Sequence, residues 1–252
     1  MSPLLVMFLK VVIIYGGLIG TVAVMTLAER KFSAWMQYRI GPNRVGPWGL
    51  LQPLADGVKF IFKEELVPEG ANPWIFRLAP AMAAIPAMLT VAVVPFTGGH
   101  VVLFGQDFGR LAITDLHIGA LYLISIGGLG VYGVILGGWA SNSKYSLLGG
   151  LRASAQMISY ELSLIMILLA IVALSGTLSL WGIVENQQGT FLGFLPDWNV
   201  FKQPLAFVIF VIATFAETNR HPFDFAECEP ELVGGFHTEY SSMKFALFFM
   251  AE

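Results

Sequence analysis

The sequence predicts an all-α polytopic membrane protein, a helical bundle with five spans, the start of a sixth and one amphipathic helix lying in the membrane interface. Two observations carry that prediction. Of 252 residues, 56% are hydrophobic and only 12% charged, whereas a water-soluble domain carries about a quarter charged residues. The apolar residues are also gathered into runs long enough to cross a bilayer, which takes about 20 residues at about 1.5 Å of helix rise each. The balance of 14 Lys+Arg against 17 Asp+Glu leaves a formal charge of -3, which gives nucleic-acid binding no electrostatic basis. A single cysteine, Cys228, excludes an intrachain disulfide, a cysteine zinc site and an iron-sulfur cluster held by this chain alone.

Taken in order, the first apolar run is Leu4–Leu27. No basic residue precedes it and no small-residue cleavage site follows it, so it is expected to stay as a membrane helix. The next three runs are Leu78–Phe96, Leu116–Ala140 and Met157–Gly182, and the only formally charged side chains inside the four are Lys10 and Glu161. A fifth run is short, but Pro204 is a good first helical residue and Arg220 stands before Pro222, so residues 204–220 form a span that just crosses. A sixth opens at Met243 and is broken off at Glu252, which predicts a chain truncated at its C-terminus. All of 1–252 is expected to be one membrane domain. Between the first two spans, Leu51, Leu54, Val58, Ile61 and Phe62 fall at helical spacing opposite Asp56, Lys59 and Lys63, which reads as a helix in the membrane surface. Short apolar runs within Val101–Ile113, around Gly105 and Gly109, suggest a small hairpin. Gly16 with Gly20, and Gly133 with Gly137, are small-residue pairs that let helices approach closely.

Basic residues set the orientation. Segments 28–77, 140–156 and 217–244 hold Arg30, Lys31, Arg39, Arg44, Lys59, Lys63, Arg77, Lys144, Arg152, Arg220 and Lys244, while the opposite loops hold only Arg110 and Lys202. The positive-inside rule places those three segments in the cytoplasm and the N-terminus in the periplasm.

Three places have residues suited to chemistry. In the first cytoplasmic loop, the glycines and prolines of Gly41-Pro42-Asn43-Arg44-Val45-Gly46-Pro47 force turns that hold Arg30, Arg39 and Arg44 near the membrane face. There they either pair with carboxylates or a polar head group, or merely anchor orientation. Glu161 is a carboxylate about 6 Å inside the fourth run by helix rise, and an intramembrane carboxylate is a proton-handling candidate by default unless the helix starts lower and leaves it at the interface. Glu217, Asp224, Glu227, Glu229, Glu231 and Glu239 form an acidic stretch interleaved with Arg220, His221 and His237. Asp224, Glu227 and Glu231 would share one helix face, as a proton-collecting or a solvated surface. The apolar Pro222-Phe223 and Leu232–Phe236 favour a re-entrant or protein-covered loop. A metal site from His221, Asp224 and Glu227 is disfavoured because no recognised ligand motif is present. No histidine pair lies inside a helix to ligate a haem.

Several of these stretches together resemble one family. Glu29-Arg30-Lys31, Gly41–Gly46, Gln52-Pro53-Leu54-Ala55-Asp56-Gly57-Val58-Lys59, Glu217-Thr218-Asn219-Arg220 with Pro222-Phe223-Asp224, Glu229, Glu231-Leu232-Val233 and Gly235–Ser241 look like the quinone-site membrane subunit (the H subunit, also called subunit 1) of NADH:quinone oxidoreductase, respiratory complex I. The resemblance covers essentially the whole chain. It implies the membrane side of a quinone chamber, with quinone as substrate and with FMN and iron-sulfur clusters held in partner subunits. Arg30, Arg39 and Arg44 would shape the chamber, and Asp56 and Lys59 would border its entrance. Glu161, Glu217, Asp224, Glu227, Glu229, Glu231 and Glu252 match a carboxylate path that couples quinone reduction to proton translocation. The implied partners are the other membrane and peripheral-arm subunits, the lipid bilayer and quinone, in a bacterial cytoplasmic (inner) membrane. Span three has no carboxylate, although some relatives have one there, so a proton route must do without it.

Two other readings remain. The anchoring subunit of a membrane-bound hydrogenase has spans and carboxylates but no quinone to reduce, and the complete stretch from Thr218 to Asp224 favours complex I over it. A stand-alone proton transporter would use Glu161 but leaves the arginine-rich loop unexplained.

Overall fold

The computed structural model describes residues 3–103, 106–191, 193–220, 222–224 and 233–251. The chain forms two compact units, Met1–Glu65 and Leu66–Glu252. Among the described residues, four helical stretches are long and apolar enough to cross a membrane: Leu4–Met36, Pro73–Val91, Gly119–Ala140 and Lys144–Ser175.

The first unit is built on helix α1, Pro3–Met36. Leu5, Phe8, Ile13, Val24 and Met25 project from it on all sides and are exposed, the pattern of a helix that needs apolar surroundings. The expected span ends at Leu27, but the helix does not. Glu29, Arg30 and Lys31 end the apolar run without breaking the helix, because straight-chain charged residues are good helix formers. Residues 28–36 therefore continue α1 as a rod about 13 Å past the apolar run. Its end is a Schellman motif: Arg39 N donates to Ala34 O at 2.9 Å and Tyr38 N to Trp35 O at 3.1 Å, with Tyr38 left-handed at φ 55°. In the loop that follows, Gly49 has φ +78°, and a Cβ there would lie 2.3 Å from Pro42 O, so only glycine closes this turn. Helix α2 then runs from Gln52 to Phe62, matching the helical spacing seen in the sequence. Leu54, Val58, Ile61 and Phe62 are exposed along one side of it.

In the second unit, Asn72 starts helix α3 (Pro73–Val91) by accepting hydrogen bonds from Trp74 N and Ile75 N. The small hairpin is present as β1 (His100–Leu103) paired antiparallel with β2 (Gln106–Arg110). Arg110 joins it to later chain by ion pairs with Asp115 at 3.4 Å and Glu185 at 3.0 Å, and its guanidinium lies over Trp181. The third span is not one uninterrupted helix. It consists of α4 (Gly119–Gly127) and α5 (Gly130–Ala140), with Leu129 N turning to an i-3 bond with Ile126 O at the junction.

Helix α6 spans Lys144–Ser175, beginning well before the expected Met157 and ending before Gly182. The early start is hidden from hydropathy by Lys144, Arg152, Ser154 and Gln156, which are polar yet helical. The end is set by Gly176, left-handed at φ 69°, and α7 (Leu180–Glu185) is separate. After a short strand pair, β3 (Thr190–Phe191) with β4 (Leu195–Pro196), come α8 (Asn199–Lys202), α9 (Pro204–Glu217) and α10 (Ser242–Ala251). Helix α9 stops at Glu217, not at Arg220, because Asn219 turns left-handed at φ 48° and Arg220 N closes onto Phe215 O at 3.1 Å. Its 14 residues reach about 21 Å, short of a full crossing of about 30 Å.

The core of this unit lies where α3, α5, α6 and α10 meet, around Phe76, Ala79, Ala83, Val134, Ala153, Tyr240 and Phe248. Tyr240 stacks on Phe76 with ring centroids 4.0 Å apart. Small residues bring the backbones together: a Cβ on Gly133 would lie 2.5 Å from Ala83 N, and one on Gly149 2.6 Å from Gly235.

Candidate functional site

Residues singled out in the sequence gather at two places, one in each unit. In the first, the rigid extension of α1 carries Arg30 and the Schellman turn carries Arg39. Both line an open cleft of about 520 Å³ together with Ala34, Gly41, Pro42 and Gln52. From α2, Asp56 accepts a hydrogen bond from Arg30 Nη1 on one oxygen and from Gln52 Nε2 at 3.0 Å on the other. Partial burial pushes the Asp56 carboxyl up, but the hydrogen bonds from Arg30 and Gln52 and the charges of Arg30 and Lys59 outweigh it and hold the group below the usual carboxylate range. Two guanidiniums and an amide around one cleft suit an anion or carbonyl oxygens. Arg44 is exposed and does not line it. Gln52 is a member of the site that carries no charge to mark it, and its signals in the sequence are its place at the head of the 52–59 stretch and a spacing of four from Asp56 on a helix.

A lowered carboxyl stabilises the fold above its unfolded value, near 3.9, and that contribution is lost as pH falls through the lower folded value. The Arg30–Asp56 side chains are 53% and 29% exposed, so screening limits the contribution to about 1 kcal/mol or less. Limited proteolysis of the 37–50 loop in membranes should therefore speed up below about pH 4 in the wild type. In Asp56→Asn it should be fast at every pH. Equal, pH-independent cleavage in both would show that the pair does not hold the loop.

The second place surrounds Glu161. Since α6 begins at Lys144, before the apolar run that opens at Met157, Glu161 stands past the midpoint of a continuous helix. Its Oε1 lies 2.9 Å from where a Cβ on Gly128 would be, so the glycine at the α4–α5 junction makes room for the carboxylate. Glu217, in the last turn of α9, is close enough for the Glu161 charge to act on it. Its Oε2 is buried with no hydrogen-bond partner among the described residues. Two carboxyls from different helices thus interact through their charges, an arrangement in which a proton held by one affects the other. The span without a carboxylate contributes space instead. Asp224 is half-buried at the edge of this region and Phe223 packs edge-on against Tyr160 with centroids 5.5 Å apart. His221, Glu227, Glu229, Glu231 and Glu252 lie outside the described residues.

Gln156, an uncharged residue with no motif around it, connects the α6 and α9 sides. Its Nε2 donates toward Ala216 O at 3.1 Å, Asn219 Oδ1 at 3.1 Å and Phe223 O at 2.8 Å. Its neighbourhood is visible only once α6 and α9 are packed.

The space at Gly128 gives a direct test. In Gly128→Ala the new methyl meets the far end of a flexible side chain and not backbone, so the fold should survive while the Glu161 carboxyl is displaced. Thermal melting should match the wild type, and, on the proton-handling role proposed below for Glu161, protons moved per NADH oxidised should fall by about tenfold. An unchanged proton yield in a folded variant would show that Glu161 needs no such placement.

A family model described as NADH dehydrogenase matches residues 9–252. The chain is 53% identical over 227 residues to the first H subunit of NADH-quinone oxidoreductase from Cytophaga hutchinsonii, covering 90% of this chain and 64% of the relative. It is 53% identical over 243 residues to the corresponding protein of Geobacter metallireducens, covering 96% and 71%, and 51% identical over 255 residues to that of Solibacter usitatus, covering 100% and 63%. The chain thus spans between 63% and 71% of the length of these relatives. Matched by the family model over nearly its whole length and by these relatives at half identity or better, the chain belongs to the NADH dehydrogenase family, in the group of NADH-quinone oxidoreductase H subunits.

Proposed function

We propose that the chain belongs to the membrane subunit of a proton-pumping NADH:quinone oxidoreductase, where it forms the membrane side of the quinone chamber and the first part of a carboxylate path. The observation that carries this reading is that Glu161, seated against Gly128, and Glu217, whose Oε2 is buried with no hydrogen-bond partner among the described residues, both belong to a bundle of membrane-length helices in a chain whose relatives are NADH-quinone oxidoreductase subunits. Arg30 and Arg39 hold the polar end of the quinone or the residues that do, with Arg44 on the outer surface of the loop. Asp56 and Lys59 border the entrance from α2, which lies in the membrane interface on its exposed Leu54, Val58, Ile61 and Phe62. The chain is one membrane domain with the periplasmic N-terminus and the cytoplasmic segments 28–77, 140–156 and 217–244 given by its basic residues. Five crossings satisfy that alternation, the fifth by the short α9 with the bilayer thinned around it, and α10 begins a sixth.

Electrons reach the quinone from FMN and iron-sulfur clusters in partner subunits. What this chain supplies is charge handling. Reduction places negative charge near the arginines, and proton uptake follows through Glu217 and Glu161, with Asp224, Glu227, Glu229, Glu231 and Glu252 on the same path. Extraction in mild detergent, a native gel stained for NADH oxidation and identification of co-migrating chains test the assignment. A large NADH-active band containing iron-sulfur subunits is expected. Co-migration with a nickel-iron hydrogenase, or migration alone, overturns it.

A further inference from the structure

The Glu161–Glu217 pair poses a mechanical question, because its members lie on different helices and Glu217 occupies the last turn of α9, where helices fray. Something must fix that turn relative to α6. The left-handed Asn219 closes it, but that closure is local: Asn219 N reaches Ala216 O at 3.4 Å and Arg220 N reaches Phe215 O at 3.1 Å, all within the same chain segment. Such bonds shape the turn without saying where it sits.

Gln156 supplies a tie from this turn to α6. Its amide nitrogen has two hydrogens directed among three acceptors, Ala216 O, Asn219 Oδ1 and Phe223 O. Those acceptors bracket Glu217, one residue before it, two after it and six after it. Gln156 is five residues before Glu161 on one continuous helix, about 7.5 Å of rise and about 140° around the axis from it, so the two side chains leave α6 in different directions from one rigid backbone. The amide holds the segment on both sides of Glu217, and the α6 backbone relates that segment to the position of Glu161. Edge-on packing of Tyr160 on Phe223 acts at the same junction.

We infer that Gln156 is a positioning residue that sets the placement of Glu217 relative to Glu161 by hydrogen-bonding the turn around Glu217, without itself carrying protons. This rests on the proposed carboxylate path. A neutral amide suits the task, because it donates to carbonyl oxygens without adding a charge that would perturb either carboxyl.

The test uses the assembled complex in membranes and three variants: Gln156→Met, which keeps the side-chain length and removes the donor, Glu217→Gln, and the two combined. Two quantities are read in each, hydrogen exchange of the 216–223 backbone and protons moved per NADH oxidised. In Gln156→Met, exchange of that segment should rise by about tenfold and the proton yield should fall while NADH oxidation stays within about twofold. The double variant should pump no less than Glu217→Gln alone, since both changes disable the same group. Unchanged exchange in Gln156→Met overturns the inference, as does unchanged proton yield or a loss that adds to that of Glu217→Gln. Should Gln156→Met fail to assemble, Gln156→Asn keeps an amide one methylene shorter and should show the same two changes at smaller size. Normal pumping in Glu217→Gln instead defeats the carboxylate path itself, and exchange in Gln156→Met then decides by itself whether the amide holds the turn.

Discussion

Replacing Glu161 by Gln should leave the complex assembled and reduce protons pumped per NADH by about tenfold or more, the scale on which losing a positioned proton-transfer group acts. The substitution keeps size and hydrogen-bonding capacity, so packing beside Gly128 and the tilt of α6 should be preserved. What it removes is the ability to take up and release a proton. NADH oxidation with quinone as acceptor should persist, because no electron passes through this side chain. Glu161→Asp keeps a carboxyl but withdraws it by one methylene, and it should fall between the wild type and the Gln variant. Combining Glu161→Gln with Gly128→Ala should cost nothing further, because a displaced group and an absent one fail in the same way. Pumping at the wild-type ratio in Glu161→Gln would remove this residue from the path.

The largest effect on stability is expected from Gly133→Ala. The added Cβ would lie 2.5 Å from Ala83 N, 2.8 Å from Ala83 Cβ and 2.9 Å from Ala79 O, and two of those atoms are backbone of α3 that cannot turn aside. Helices α3 and α5 must separate, opening the contact on which Ala79, Ala83 and Val134 are buried. Overpacking of this kind costs about 1–3 kcal/mol. Lower abundance of the assembled complex and an earlier thermal transition should report it. Gly20→Ala is the matched control, since nothing among the described residues lies within 4 Å of its would-be Cβ. Equal melting of both variants would mean that the α3–α5 approach tolerates a methyl.

That comparison also shows how far sequence reasoning reaches. Gly16-x-x-x-Gly20 and Gly133-x-x-x-Gly137 are the same pattern, yet a Cβ on Gly137 would meet Phe248 at 2.9 Å while a Cβ on Gly16 or Gly20 would meet nothing within 4 Å beyond its own helix turn among the described residues. Spacing marks where helices can approach and does not name the partner. Helix ends divide in the same way. The amphipathic stretch 51–63 forms α2 almost unchanged, since its period and its flanking breakers are local. The starts of α3 and α6 and the end of α1 differ from the apolar runs, because polar residues that remain helical end an apolar run without ending a helix.

Composition, local period and the cost of one charge among apolar neighbours were enough to give the class of the molecule, its apolar helices, the turn-forming stretch next to Arg39, and Glu161 as a candidate, whereas Arg30 stands on the continued helix α1 and not in the expected loop. Packing was needed for the rest: that Arg30 engages Asp56 and Gln52, that Gly128 opens space for Glu161, and that Glu217 and Gln156 come to the same place from distant parts of the chain. These are contacts between segments far apart in sequence. Their geometry follows from how closely small residues let backbones approach and from where left-handed turns end a helix, and both depend on the neighbour across the contact rather than on the residues next along the chain.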